Sequence, residues 1–111
     1  MEKEVRAWFE DVIQALNEIE EFLPERRVFS EFKRDMKTRK AIERNIEIIG
    51  EAISRILKSY PEIEITNARK IVDTRNRIIH GYDTVSEDII WAIVTNDLKR
   101  LKQEIITLLD K

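Results

Sequence analysis

Apolar side chains recur from Val5 through Trp8, Phe9, Val12, Ile13, Leu16 and Ile19 to Leu23. Steps of three and four put them on one face of an α-helix. Leu23-Pro24 ends that helix, because proline disfavours helical geometry in the residue before it. A short turn or helix is expected around Ser30-Glu31-Phe32, with Ser30 as its N-cap. The next periodic run starts between Asp35 and Thr38 and continues to about Tyr60, burying Ile42, Ile46, Ile49, Ile53, Ile56 and Leu57, and Pro61 stops it. Gly50 lies inside this helix, where glycine costs about 1 kcal/mol relative to alanine. Either a neighbouring helix approaches closely there or the glycine is simply tolerated.

Thr66 is placed to cap a third helix and Gly81 to end it. Ser86 is placed to cap a fourth, whose apolar side is Ile89, Ile90, Ile93, Val94, Leu98, Leu101, Ile105 and Leu108. No segment sustains the two-residue alternation of a strand, and the breaks are the short turns of a bundle. The pattern predicts an all-α fold: an antiparallel, up-and-down bundle of four to five helices, formed as a single domain over residues 1–111.

Composition narrows the chemistry. The chain is 42% hydrophobic and 38% charged, with two Gly and two Pro, which favours long helices with solvated faces over disorder. With no cysteine, disulfides, thiolate catalysis and cysteine-ligated zinc are excluded. A single histidine excludes the two-His helical zinc motif within one chain. The acids are scattered, so neither a metal nor another cofactor is expected. No apolar run approaches the roughly 20 residues needed to cross a bilayer, and the chain reads as cytoplasmic with no membrane partner.

Charge is distributed unevenly about the net −2. Residues 1–25 hold eight acids and two bases, residues 26–44 eight bases and three acids, and residues 66–82 four bases and one acid. Either basic block could meet phosphate, although a solvated helical face is the better explanation of the first.

The second basic block contains RNRIIHGY, residues 75 to 82, with the one histidine. At about 100° per residue, Ile71, Arg75, Ile78, Ile79 and Tyr82 share one side of the third helix, and Asp73, Asn76, Arg77 and His80 the other. Arg75 therefore enters an apolar stripe. It needs either an ionic partner or a path for its head to reach water. Arg75 and His80 are about 140° apart on a straight helix, so they meet only if the helix unwinds near Gly81 or if two chains pair about a twofold axis. Histidine titrates near neutrality and suits proton transfer, while the arginine fork suits phosphate. Together they would fit cleavage of RNA by attack of a 2′-hydroxyl on the adjacent phosphate, for which a dimer supplies two imidazoles. On spacing alone, two ordinary helix residues are the better explanation of the pair.

The complete run RNRIIHGY resembles the signature of HepT-type proteins of the HEPN superfamily: Arg, a polar residue, three more, His, any residue, Tyr. DMKTRKAIERNIEIIGEAISRI (residues 35 to 56), YPEI and IIWAIVTNDLKRLK are similar to other segments of that family. The resemblance implies a helical homodimer with a cleft between subunits, acting as a metal-independent ribonuclease toxin on RNA. It also implies a nucleotidyltransferase antitoxin that transfers AMP to the motif tyrosine. By motif position Arg75 and His80 would be catalytic, Asn76 would orient His80 or the substrate, and Tyr82 would be the modified residue. Glu43 and Glu51 on the second helix are within reach of such a cleft but are left outside the site.

Two other readings stand beside this one. The chain could be a non-catalytic helical dimer that binds a nucleotidyltransferase or a nucleotide. It could also be a purely structural dimer, with Arg75 ion-paired inside its own subunit and far from any groove. Tyr82 could equally be a helix-end aromatic, and Trp8 and Trp91 are expected in the core rather than stacked on bases.

Overall fold

The computed structural model describes residues 2–80 and 86–110. Its helices are α1 (Lys3–Phe22), α2 (Phe29–Arg34), α3 (Met36–Ser59), α4 (Ala68–His80), α5 (Glu87–Ala92) and α6 (Leu98–Leu109), with a π-helical turn, Ile93–Asp97, joining the last two. The fold is the helical bundle expected from the periodicity. Its smallest dimension is 19 Å, about two helix diameters, so the helices lie in two layers. α3 is the central rod, packed along both α1 and α4; α6 closes against α1, and α5 against α2.

Each boundary has a local cause. α1 ends where Leu23 turns to φ −89°, ψ 139°, the extended geometry that Pro24 favours in its predecessor. Leu23 stays buried, so the break does not open the core. α3 starts at Asp35, whose carboxylate accepts from the Thr38 amide at 3.1 Å and the Thr38 hydroxyl at 2.6 Å. It runs to Ser59, next to Tyr60 and Pro61, and buries Ile42, Ile46, Ile49, Ile53 and Ile56 completely. Ser86 caps α5 by accepting from the Ile89 amide at 3.4 Å.

Two expected caps are replaced. Ser30 lies within α2, and Val28 occupies the cap position without a side-chain bond. Aromatic packing fixes this short helix instead: Phe29 and Phe32 pack on Trp91 with ring centroids 5.9 and 5.0 Å apart. Trp91 thus belongs to the packing, as expected. Thr66 does not cap α4. Its hydroxyl donates to Glu104 Oε2 at 2.8 Å and its amide to Glu104 Oε1 at 3.1 Å, which ties the entrance of α4 to α6. The entrance turn is made by Asn67 at φ 61°, a left-handed conformation that asparagine tolerates better than most residues.

The last rod anchors α4 a second time. The π turn carries Asp97, which is only 9% exposed, toward that helix. Asp97 Oδ1 accepts from Asn67 Nδ2 at 3.1 Å, and Oδ2 forms an ion pair with Lys70 Nζ at 2.9 Å. Two carboxylates of the last rod therefore hold the first turn of the helix that carries the motif. No helix among the described residues is long and apolar enough to cross a membrane.

Candidate functional site

Packing of α4 on α3 decides where the motif side chains go. Ala68, Ile71, Val72 and Thr74 are buried, whereas Ile78 is half-buried and Ile79 is 46% exposed. The apolar stripe thus continues past the core, and Arg75 lies where it emerges. Opposite Arg75 stands Gly50, itself buried. A Cβ built on Gly50 would collide with Arg75 Cβ, lie 2.7 Å from Arg75 Cγ and reach 3.4 Å from the Ile71 carbonyl. Glycine is required here for close approach of two helices, which settles the alternatives left open for it.

The Arg75 side chain is 25% exposed, and its guanidinium is held from two sides. Nη2 donates to Glu51 Oε2 of α3 at 2.5 Å, and Nη1 donates to Asn76 Oδ1 at 2.8 Å. The other oxygen of Glu51, Oε1, accepts from Arg55 Nε at 2.9 Å. Arg75 Nε is buried and has no partner among the described residues. Arginine in an apolar stripe thus has both of its expected escapes: an ionic partner and an outlet to water.

That outlet is an open pocket of about 290 Å³, with Trp8 and Asp11 of α1 on one wall, Ile79 of α4 on another, and Arg44, Glu47, Ile48, Glu51 and Arg55 of α3 between them. Three arginines, counting Arg75, face three acids there. Trp8 is half-buried, packing on the core while lining this pocket. The arrangement meets half of the purely structural reading, since Arg75 is paired inside its own chain. It departs from the other half, since Arg75 borders a groove.

The remaining predicted residues lie in different places. Asn76 is half-buried and bonds Arg75, although helical spacing alone made it a neighbour of His80. His80 is the last residue of α4, exposed, and outside the lining of the Arg75 pocket. α4 is continuous from Arg75 to His80, so no unwinding before His80 draws the two side chains together within the chain. Gly81 and Tyr82 lie outside the described residues.

Glu51 is the site residue that sequence reasoning set aside. Two signals pointed to it: Arg75 required a counter-charge, and Gly50 marked the level at which α3 meets another helix. Among the described residues no three His, Asp or Glu are gathered closely enough to hold a metal ion.

Comparison with known proteins agrees with the motif. Residues 12–108 match the family described as ribonuclease HepT-like. A Methanocaldococcus jannaschii protein provisionally named an RNase is 32% identical over 109 residues, covering 91% of this chain and 87% of its own. A Thermococcus cleftensis protein named probable ribonuclease HepT is 35% identical over 106 residues, covering 92% and 93%. A Caldanaerobacter subterraneus protein, also provisionally named an RNase, is 30% identical over 113 residues, covering 98% and 97%. No solved structure matches the chain significantly. With the family match spanning most of its length and the motif intact, the chain belongs to the HepT-like ribonuclease family.

Proposed function

We propose that this chain is a metal-independent RNA endonuclease that works as a homodimer in the cytoplasm. Arg75 clamps the scissile phosphate and His80 moves protons. In the reaction the 2′-oxygen bonds to phosphorus and the bond from phosphorus to the 5′-oxygen breaks. The 2′-hydroxyl proton passes to a neutral imidazole, and the leaving 5′-oxygen takes a proton from a protonated one. The products are a 2′,3′-cyclic phosphate and a 5′-hydroxyl. Arginine offsets the charge that builds on the phosphoryl oxygens in the transition state.

The observation that carries this reading is the posture of Arg75: a guanidinium steadied by Asn76 and Glu51 at the edge of an open pocket. Asn76 thereby acts as an orienting residue, through Arg75. Because one unbroken helix sets Arg75 and His80 about 140° apart, the proposal has His80 of a second copy join Arg75.

In the same reading the chain is the toxin of a toxin-antitoxin pair. A nucleotidyltransferase antitoxin transfers AMP from a nucleoside triphosphate to the Tyr82 hydroxyl, releasing pyrophosphate. The added bulk and negative charge repel RNA phosphate by the logic that governs phosphorylation.

Purified protein incubated with RNA in EDTA should leave 2′,3′-cyclic phosphate ends, and His80→Ala should abolish them. Absence of cleavage by the wild type, or equal cleavage by the variant, would refute the nuclease. A second reading draws on the balance of three arginines and three acids in the pocket: a non-catalytic dimer that binds a nucleotidyltransferase or a nucleotide. That reading predicts that expression is harmless and that changing Arg75 or His80 leaves growth unaltered.

A further inference from the structure

One carboxylate joins two guanidiniums from different helices. Glu51 Oε2 accepts from Arg75 Nη2 of α4 at 2.5 Å while Oε1 accepts from Arg55 Nε, one turn along α3, at 2.9 Å. A phosphodiester offers the same pattern, two anionic oxygens on one central atom, and guanidinium forks bind either group through paired N–H donors. Neither arginine is saturated. Arg75 Nε is buried without a partner among the described residues, and the Arg55 side chain is 56% exposed. The Glu51 side chain is 40% exposed, so water screens both of its ion pairs and an incoming anion can exchange with it.

We propose that Arg55 and Arg75 form a two-arginine phosphate site, filled by Glu51 in the free chain and taken over by an RNA phosphodiester when substrate binds. The identity of the ligand rests on the ribonuclease reading. The pairing itself rests on the geometry. Arg55 becomes a second substrate-binding residue, and Glu51 a built-in competitor that leaves by rotation of its own side chain. The near-balance of charge around the pocket then has a function: anions that cannot engage both guanidiniums do not displace the carboxylate.

A structural role for Glu51 and a competing role predict opposite signs. The test is binding of a labelled single-stranded RNA, 2′-O-methylated so that it cannot be cut, to the full chain over a range of salt concentrations. Glu51→Gln should bind roughly five- to tenfold more tightly at low salt, the scale of removing one or two screened ion pairs. Its logarithmic salt dependence should be steeper by about 0.7, the contribution of one single-strand phosphate. Arg55→Ala placed in the Glu51→Gln background should erase the gain.

Unchanged or weaker binding by Glu51→Gln overturns the proposal, and so does the absence of RNA binding by both proteins. Cleavage of unmodified RNA is followed in parallel to separate the two ideas. Cleavage without tighter binding by Glu51→Gln removes the site and leaves the nuclease; tighter binding without cleavage does the reverse. Should Glu51→Gln not fold, Arg55→Ala alone serves: weaker RNA binding supports the site, and unaltered binding overturns it.

Discussion

Arg75 rests on Gly50: its Cβ and Cγ fill the space that any side chain at Gly50 would need. The bare backbone of α3 brings α4 close enough for the next residue, Glu51, to reach the guanidinium. Gly50→Ala gains about 1 kcal/mol of helix propensity but meets an overpacking cost of about 1–3 kcal/mol, so a net loss of up to about 2 kcal/mol is expected. Urea denaturation should show a lower midpoint with an unchanged slope. Arg75→Ala should not rescue the variant, because the tightest clash is with the Cβ that alanine retains. A Gly50→Ala protein more stable than wild type by about 1 kcal/mol would show that the helices part without cost.

The anchor at the start of α4 predicts an asymmetry. Asp97 is 9% exposed and its partner Lys70 is 50% exposed. Lys70→Ala leaves a nearly buried carboxylate without its cation and should cost about 1–2 kcal/mol, less than for a fully buried pair because Lys70 reaches water. Asp97→Asn keeps the bond to Asn67 and returns Lys70 to solvent, so it should cost less. Paired thermal melts measure the order; the reverse order would mean that Asp97 acts by its charge on groups other than Lys70.

The cap of α3 sets a pH dependence. Hydrogen bonds from the Thr38 hydroxyl and then the Thr38 amide hold the Asp35 carboxyl below its ordinary value, with Arg39 and Lys37 adding to the effect. A depressed folded-state pKa stabilises the ionised form. Its contribution is therefore complete above the ordinary aspartate value of about 3.9 and fades as pH falls through the lowered folded value. Asp35→Asn should be less stable than wild type at pH 7, with the gap closing in acid. Denaturation midpoints at pH 7, 4 and 2.5 would test this, and a gap that widens in acid would contradict it.

Arg75→Lys separates charge from geometry. Lysine keeps the positive charge but cannot present one planar fork to Asn76 and a phosphate together. Cleavage should fall by about two to three orders of magnitude, the usual cost of removing a donor that stabilises transition-state charge, while the fold survives. Asn76→Ala leaves Arg75 less well oriented and should fall by a smaller factor. Initial rates on one RNA in EDTA give both numbers, and wild-type rates from Arg75→Lys would show that the fork is unused.

Much of the fold could be read from short-range signals. Leu23-Pro24, Asp35 with Thr38, and Ser86 before Glu87-Asp88 each act within one helical turn, so their effect is written in adjacent residues. Ser30 and Thr66 misled because contacts elsewhere, with Trp91 and with Glu104, outbid a local cap. The site was legible up to the requirement that Arg75 find a counter-charge. Naming Glu51 needed the register of two helices whose paired residues lie 24 positions apart, and no local pattern encodes that register.

The wide turn at Ile93–Asp97 leaves a lasting mark on the rod that contains it. Buried positions run Ile90, Ile93, then Leu98, Leu101 and Ile105, a five-residue stride among threes and fours. The wider winding of the turn absorbs the extra residue, so Leu98, Leu101 and Ile105 stay on the buried side begun by Ile90 and Ile93. The leading half packs on α2 and the trailing half on α1. Excising one residue of the turn other than Ile93 or Asp97 would shorten the five-residue stride to four and keep Leu98, Leu101 and Ile105 in line on a uniformly wound helix, so this segment should tolerate shortening that the rest of the rod would not.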